Sequence, residues 1–460
     1  MCAQPAPKPL ACIILAAGKG TRMMSDHPKI LHKIAGRSMI GHVIAACESL
    51  SPEKIIVVVG PDMEAVTAAV APHKTVIQTH QKGTADAVMA ARSALGEFGG
   101  DVLILIGDAP LITSDTLVEL RRAATATGLA VLGMDVDDPH GYGRLITNDE
   151  WQVTAIIEDR DCNSEQQFIT LCNAGNFCVA GDKLFGWLDK IGTDNAQNEY
   201  YLTDIVKIAA QNGAACGLFV APSEEAVGIN DRAQLAEAEW LMQRRLRLAA
   251  MRGGVTLIDP ETVYLSHDTT FGRDVIIEPN VFFGPKVTIA NHVVIHAFSH
   301  LEDTTAADNV QIGPFARLRG RVVLDEGAQI GNFVEVKKSH FHRKAKAKHL
   351  AYIGDATVGE KTNISAGVIT VNYDGFDKHH TTIGKNVMVG CDSTLVAPVT
   401  IGDGAYIAAG SAITKNVAAD SLAVARNRAI IREGWAVAYR AKKGREKSGG
   451  DKAEKAEDQG

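Results

Sequence analysis

The sequence predicts a chain in two parts: an α/β domain built on a parallel sheet, then a parallel β-helix of hexapeptide repeats, with one long helix between them. Three observations carry this. Short apolar runs alternate with helix-like segments from residue 10 to about 230. A stretch with helical spacing follows, and beyond it aliphatic residues recur about every six positions.

In the first part the apolar runs are "ACIILAAG", "KIIVVVG", "DVLILIGD" and "LAVLGMDV". Runs that are apolar on both faces and separated by helical segments indicate a parallel sheet covered on both sides. Ligands in such sheets sit beyond the C-terminal strand ends. Gly18 and Asp108 both fall at such ends. The loop behind the first run, "LAAGKGTRMMSDHPKIL", is rich in glycine and basic residues, as a phosphate cradle is. It is not a Walker A loop, because Ile13 stands where glycine is needed and Gly20 follows Lys19 where Ser or Thr is needed. Met23 likewise replaces the third glycine of a dinucleotide fingerprint. Arg22 and Lys29 could add full charges against an anion. Asp108 is placed to hold a hard cation such as Mg²⁺ beside phosphates, which prefers oxygen ligands. "QKGTADA" and "HGYGRL" supply two more glycine turns able to approach a base or a sugar.

The joining stretch, "NDRAQLAEAEWLMQRRLRLAAMRGG", has an Asn-Asp start and a double-glycine stop, which predicts one helix. After it the inward positions run Phe271, Ile277, Phe283, Ile289, Ile295, Leu301, then Ile312 to Val336, then Ile383 to Ile413. Two breaks in the period, 302–310 and 337–352, are expected to be loops or altered coils that project from the prism. The end of the chain is polar and nearly free of large apolar residues, and is expected to be disordered. The expected divisions are therefore 1–230, 231–254, 255–440 and 441–460.

Composition narrows the class. A length of 460 residues implies more than one domain, and 46% hydrophobic with 22% charged residues describes an ordinary globular protein. A net charge of −7 argues against a general nucleic-acid binder. Eight cysteines without a C-x-x-C pair indicate reduced thiols and a cytoplasmic setting, and no stretch has membrane-spanning length.

In the second part, "KKSHFHRKAKAKHLAY" concentrates positive charge and ends at His349 and Tyr352, ahead of "VNYDG". A histidine near its ordinary pKa could take a proton from an amine attacking a thioester, and the basic residues could meet a phosphorylated substrate or coenzyme A. The competing reading is zinc held by His292, His296 and His300, or by His340, His342 and His349. A six-residue period spreads the first group over different faces.

These motifs together resemble the bifunctional bacterial N-acetylglucosamine-1-phosphate uridyltransferase/glucosamine-1-phosphate acetyltransferases. The resemblance runs through "LAAGKGTRM", "PKIL", "GDAPL", "GYGRL", "IIEDRD", "NAGNF", "NEYYLTDIV" and "GIND", then "IGPFARLR", "GNFVEVKKS", "KHLAYIGD", "NISAG", "VNYDG" and "IAAGSAIT". It implies a Rossmann-like nucleotidyltransferase domain, a left-handed β-helix, a homotrimer, and synthesis of UDP-N-acetylglucosamine for the cell envelope from small-molecule substrates. Carried onto this sequence, it assigns Leu15, Ala16 and Gly18 to the uridine nucleotide, Gln78, Gly83 and Thr84 to uracil, and Arg22 and Lys29 to the phosphates. Asp108 and Asn230 would hold Mg²⁺, and Gly143, Glu158 and Asn173 the N-acetylglucosamine portion. His349 would be the general base of acetyl transfer, with Arg319, Lys337, Tyr352 and Asn363 on the amino sugar phosphate. Ala366, Asn372, Tyr373, Cys391, Ala409 and Arg426 would line the acetyl-CoA site. Ile106 and Cys391 depart from the family pattern, which has Tyr and Ser there. The alternative is a single-activity sugar nucleotidyltransferase whose β-helix is structural or regulatory.

Overall fold

The structure, a computed structural model, describes residues 8–445. The expected apolar runs form the strands Leu10–Leu15, Lys54–Val59, Asp101–Ile106 and Leu129–Asp135. They belong to a nine-stranded sheet whose central order is Gly217–Ala221, Leu129–Asp135, Leu171–Ala180, Asp101–Ile106, Leu10–Leu15, Lys54–Val59, Lys74–Ile77. Alternate residues of one strand feed separate cores: Cys12 and Ile14 join one, Ala11 and Ile13 the other. This two-sided burial is why the runs are apolar throughout.

Two strands correct the expected parallel sheet, one of them Val153–Ile157, which pairs antiparallel with Arg144–Thr147. Leu171–Ala180 runs antiparallel to both its neighbours, Asp101–Ile106 and Leu129–Asp135. Its register shifts between Asn173 and Phe177, and this irregularity lies where the strand reaches the ligand end of the sheet.

The joining helix spans Arg232–Arg252. Asp231 caps it by accepting from the Gln234 N–H at 2.9 Å, and Gly253-Gly254 ends it. It fastens the first coil through Gln243, whose amide both donates to Leu265 O (2.7 Å) and accepts from Leu265 N (2.8 Å). Its Glu239 accepts from Ala35 N at 2.7 Å, holding the sheet domain's 33–38 hairpin. No described helix is long and apolar enough to cross a membrane.

From Val255 the chain is a parallel left-handed β-helix, in which each sheet is made of one short strand per turn. The inward positions from Ile277 to Ile413 are buried, and the first of the series, Phe271, is only partly so. The chain divides into two compact units, up to Val322 and from Val323. Within each, the two expected breaks are ordinary coil, not projections. In the first unit Ala306 pairs with Ile289 and Ile312 with Ile295, a step of 17 residues in place of the 18 that separates Ile277 from Ile295. In the second, Phe341 pairs with Leu324 and Ala347 with Ile330, again 17 apart. One corner residue is missing per turn, and Ala306, Phe341 and Ala347 fill the inward places. The segment that does leave the coil is 372–380, where the step from Ile364 to Val389 widens to 25. Asp374 closes that loop by accepting from the N–H groups of Phe376 and Asp377, both at 2.8 Å, and from His379 Nε2 at 2.7 Å.

Residues 435–445 are helical and exposed, so the first five residues of the stretch expected to be disordered have structure. The remainder of that expectation, 446–460, lies outside the described residues.

Candidate active sites

The first site opens at the C-terminal strand ends of the sheet domain. A cavity of about 350 Å³ is lined there by Leu15, Gly18, Gln78, Gly83, Thr84 and Asp108, all expected, together with Ala17, Lys19, Gln81, Ala87, Ile106 and Glu199, which were not. Ala16 is buried beneath this surface, its N–H given to Val58 O at 2.8 Å, so it supports the loop without lining the cavity. The glycine loop is shaped by close approach. Gly20 has φ +62°, and a side chain there would overlap the Lys29 side chain.

That approach brings Lys29 inward. Its ammonium contacts the Asp108 carboxylate and lies 3.2 Å from Asn230 Oδ1, which also accepts from Arg22 at 2.9 Å. Four residues from three separate regions thus meet. Asp108 is fixed at the end of Asp101–Ile106 by its backbone carbonyl, which accepts from Ile229 N at 2.9 Å. Two oxygens, one of them anionic, converge on a single cation, and this donor chemistry suits a hard divalent ion as well as an ammonium.

Among the residues expected to meet uracil, Gln78 is buried, and its amide donates to Gly83 O (2.9 Å) and to the Asp86 carboxylate (2.8 Å). Thr84 Oγ1 accepts from Leu202 N at 2.9 Å, pinning the loop that carries Glu199 and Tyr200. Among the residues expected to meet the sugar, Asn173 N donates to Gly143 O at 2.7 Å, and a Cβ on Gly143 would lie 3.5 Å from Glu158 Oε2. Burial pushes the Glu158 carboxyl above its ordinary pKa, against a lowering bond from Thr203 Oγ1 at 2.9 Å. Asn173 Oδ1 is turned back to accept from Gly175 N at 2.9 Å. Ile106 faces Gly175, where the family pattern has a tyrosine.

Sequence reasoning missed Arg144 here. It is 2% exposed and donates to Tyr142 O and, at 2.9 Å, to Asp159 Oδ1, so it clamps "HGYGRL" to "IIEDRD". Burial raises the Asp159 pKa, but the Arg144 bond and the Gly141 N–H outweigh it and leave the carboxyl below its ordinary value.

The second site is a corner of the β-helix. Asn332 and His349 are register partners on adjacent turns, and Asn332 Oδ1 lies 3.0 Å from His349 Nδ1. An amide oxygen only accepts, so Nδ1 is the donor in this contact and Nε2 takes no part in it. Above His349 the same corner carries Ala366, Cys391 and Ala409 in turn. Backbone bonds from Gly367 N to Leu350 O (2.9 Å), Asp392 N to Ala366 O (2.8 Å) and Gly410 N to Cys391 O (2.8 Å) stack the turns. Arg426 packs beside Gly410. Three of the six expected coenzyme residues, Ala366, Cys391 and Ala409, therefore form one column over the histidine, with Arg426 beside its top, whereas Asn372 and Tyr373 lie elsewhere. Cys391 is exposed, and seven free cysteines are found among the described residues.

Around the corner, Lys337 lies on the strand that pairs with Tyr352–Gly354. Asn372 Nδ2 donates to the buried Asp355 carboxylate (2.6 Å) and reaches the Tyr352 hydroxyl (3.5 Å). Lys378, from the 372–380 loop, meets Lys337, whose proximity pulls the Lys378 pKa down. Lys378 was not expected. Asn363 is half-buried against Ser365 and Met388. Tyr373 is exposed on the loop, its hydroxyl donating to Gly375 O at 2.6 Å. Arg319 lies on Arg317–Arg319 of the other unit.

The two histidine trios proposed as zinc ligands do not assemble. His292, His296 and His300 pair separately, the first two with Asp274 and Glu278 and the third with the Phe282 ring. His349 sits with Asn332, apart from His340 and His342, which share Asp325.

Residues 12–184 match the MobA-like NTP transferase domain family, and residues 380–415 match six bacterial transferase hexapeptide repeats. The chain is 50% identical to the bifunctional protein GlmU of Azorhizobium caulinodans, over 95% of this chain and 99% of that one. It is 48% identical to that of Paramagnetospirillum magneticum (95% and 98%) and 47% identical to that of Zymomonas mobilis (95% and 99%). With a nucleotidyltransferase domain and a hexapeptide-repeat transferase domain on one polypeptide, matched end to end by these relatives, the chain belongs to the bifunctional GlmU family.

Proposed function

We propose that the chain makes UDP-N-acetylglucosamine in two steps at two sites. The β-helix corner transfers acetyl from acetyl-CoA to glucosamine-1-phosphate, and the sheet domain transfers UMP from UTP to the N-acetylglucosamine-1-phosphate so formed, releasing pyrophosphate. The observation that carries this reading is that His349, oriented by Asn332 at 3.0 Å, stands at the foot of a column of small residues, outside the nucleotide cavity and its unit. A structural prism has no use for such an arrangement.

In acetyl transfer the sugar amine attacks the thioester carbonyl. His349 Nε2 accepts the proton the amine loses, while Nδ1–H stays on Asn332, and coenzyme A leaves as its thiolate. Lys337 and Lys378 seat the sugar phosphate, with Tyr352 and Asn363 completing that end. Ala366, Asn372, Tyr373, Cys391, Ala409 and Arg426 receive the coenzyme. In uridylyl transfer a sugar phosphate oxygen attacks the α-phosphorus in line. Gln78, Gly83 and Thr84 hold uracil, Leu15, Ala16 and Gly18 shape the nucleotide loop, and Gly143, Glu158 and Asn173 orient the sugar. Arg22 and Lys29 neutralise phosphate charge, Lys29 exchanging Asp108 for the substrate. Asp108 and Asn230 would hold Mg²⁺, which when bound supplies charge neutralisation on the triphosphate.

A homotrimer fits the surface. Ile430 and Ile431, each 85% exposed, together with Trp435, leave apolar area that a neighbouring copy would cover. A cytoplasmic setting fits both the free thiols and the co-substrates.

The test is a product assay with UTP, acetyl-CoA, glucosamine-1-phosphate and Mg²⁺, in which UDP-N-acetylglucosamine appears only when all are present. Product from N-acetylglucosamine-1-phosphate and UTP, but none from glucosamine-1-phosphate, would make the β-helix structural and refute the acetyl half.

A further inference from the structure

A second histidine cluster lies on a different sheet of the β-helix from His349, among residues that neither reaction uses. Along His340–Phe341 the side chains alternate, so Phe341 points inward and is buried while His340 and His342 point out together. Leu324 is the register partner of Phe341, and Asp325 N donates to Phe341 O at 2.8 Å, which sets the Asp325 carboxylate against both rings. Its Oδ1 lies 2.8 Å from His340 Nε2 and its Oδ2 3.0 Å from His342 Nδ1. The two ring centroids are 4.1 Å apart. All three candidate ligand atoms lie within 4.8 Å of one another, and among the described residues no other group of three His, Cys, Asp or Glu does so.

We propose that Asp325, His340 and His342 form a binding site for one divalent transition-metal ion of the zinc class, clipping two successive turns of the coil. Two imidazoles and a carboxylate are a frequent three-ligand set for such ions, leaving a further position for water. Ligand atoms around a tetrahedral zinc with bonds of about 2.0–2.1 Å stand about 3.3 Å apart, so the trio needs only small side-chain rotations to close on an ion. In the loaded site each ring turns a lone pair, not an N–H, towards the ion. The further position has room: a groove of about 420 Å³ opens beside Asp325 and His342, walled by Arg343, Glu360, Lys385 and Asp403. Arg343 is engaged by Glu360 at 2.7 Å, which holds its charge off the carboxylate. The ligands come from turns 17 residues apart, so the ion would tie coil to coil as a lateral staple.

The experiment uses the full chain, stripped with EDTA, desalted, and titrated with Zn²⁺ by calorimetry in excess Mg²⁺, which keeps the hard-oxygen pair Asp108 and Asn230 out of the signal. The expected result is one Zn²⁺ per chain, with affinity lowered at least about 100-fold in both His342→Gln and Asp325→Asn, more than disturbing an outer-shell partner costs. Both variants should retain wild-type circular dichroism and both transfer activities, and His349→Gln should bind Zn²⁺ as the wild type does. Co²⁺ gives a second readout that does not depend on variants folding: visible d–d bands without thiolate charge transfer, which separates this site from the exposed Cys391. Absence of stoichiometric Zn²⁺ binding, undiminished affinity in the two variants, or a thiolate band would each overturn the proposal.

Discussion

Gly83→Ala should cripple uridylyl transfer and leave acetyl transfer untouched. Gly83 sits immediately before the Thr84–Ala90 helix with φ 110° and ψ 179°, a region that essentially only glycine occupies. A Cβ there would lie 2.5 Å from Tyr200 O and 2.9 Å from Tyr200 N, closer than real Cβ atoms come, and both neighbours are backbone. The dihedral strain alone costs about 1–3 kcal/mol. Relieving the overlap means moving Tyr200 or residue 83, and three bonds meet at this junction: Ala85 N to Tyr200 O (2.9 Å), Tyr200 N to Lys82 O (2.8 Å) and Gln78 Nε2 to Gly83 O (2.9 Å). Loss of one of them adds about 1 kcal/mol. A total of about 2–4 kcal/mol against the productive loop predicts a fall in kcat/KM of roughly 30- to 1,000-fold. Pyrophosphate release against UTP concentration measures it, with acetyl transfer assayed on the same preparation. Gly99→Ala is the control: nothing lies within 4 Å of a Cβ there and its φ is not positive. Wild-type uridylyl kinetics in Gly83→Ala would show that this junction does not shape the nucleotide site, and would refute the assignment of Gly83.

Further outcomes are expected for three features: the histidine corner, Asp108, and a buried histidine. His349→Ala should lower acetyl transfer by about 10²–10⁴-fold with uridylyl transfer intact. Asn332→Ala should lower it less and shift the pH dependence of kcat/KM, whereas an unmoved profile would reduce Asn332 to packing. Asp108→Ala should do the reverse of His349→Ala, abolishing pyrophosphate release while the acetylated sugar still accumulates; acetylation lost in parallel would mean that the two sites are not independent. The third concerns pH and stability. Burial drops the His42 imidazole to about 4, with Arg37, His267 and Arg245 adding to the effect against a raising bond to Ile34 O. The unfolded chain, with histidine near 6.5, binds a proton between those values that the folded chain refuses, so stability is full above about 6.5 and is lost as pH falls towards 4. Between pH 7.5 and 5 the loss is about 2 kcal/mol, read as a shift in urea midpoint that His42→Gln removes; equal pH slopes in the two proteins would refute it.

What the sequence disclosed follows from what repeats in it. Strands buried on both faces are apolar runs, so most of the sheet could be read directly. The antiparallel Leu171–Ala180 could not, because an apolar run carries no mark of strand direction. The six-residue period announced the β-helix wherever large aliphatics filled the inward places. It faded at 337–352 because Ala347 is small and its outward neighbours are basic, although the backbone there is regular coil. Lys29, Asp108 and Asn230 are 79 and 201 residues apart along the pairs that meet, so no local spacing could join them, and only the resemblance did.

The shorter turn had the larger consequence. Where turns step by 17 residues, the residue that touches position i is i + 17, and two polar contacts of the second unit obey that rule: Asn332 with His349, and Asp325 with His342. The zinc reading of the sequence grouped His349 with His340 and His342. The coil step separates them, giving His349 an amide that fixes its tautomer and leaving the other two with a carboxylate. The register between turns therefore decides which histidine is free to act as a base and which pair is arranged to hold an ion. A residue inserted at a corner between Asp325 and His340 lengthens that turn to 18 residues but leaves Leu324 opposite Phe341, so the Asp325–His342 contact should persist. Retained Zn²⁺ binding with retained fold is the outcome this register argument requires, and a corner-insertion variant that kept its fold but lost the ion would show that strand register does not set the proximity of these ligands.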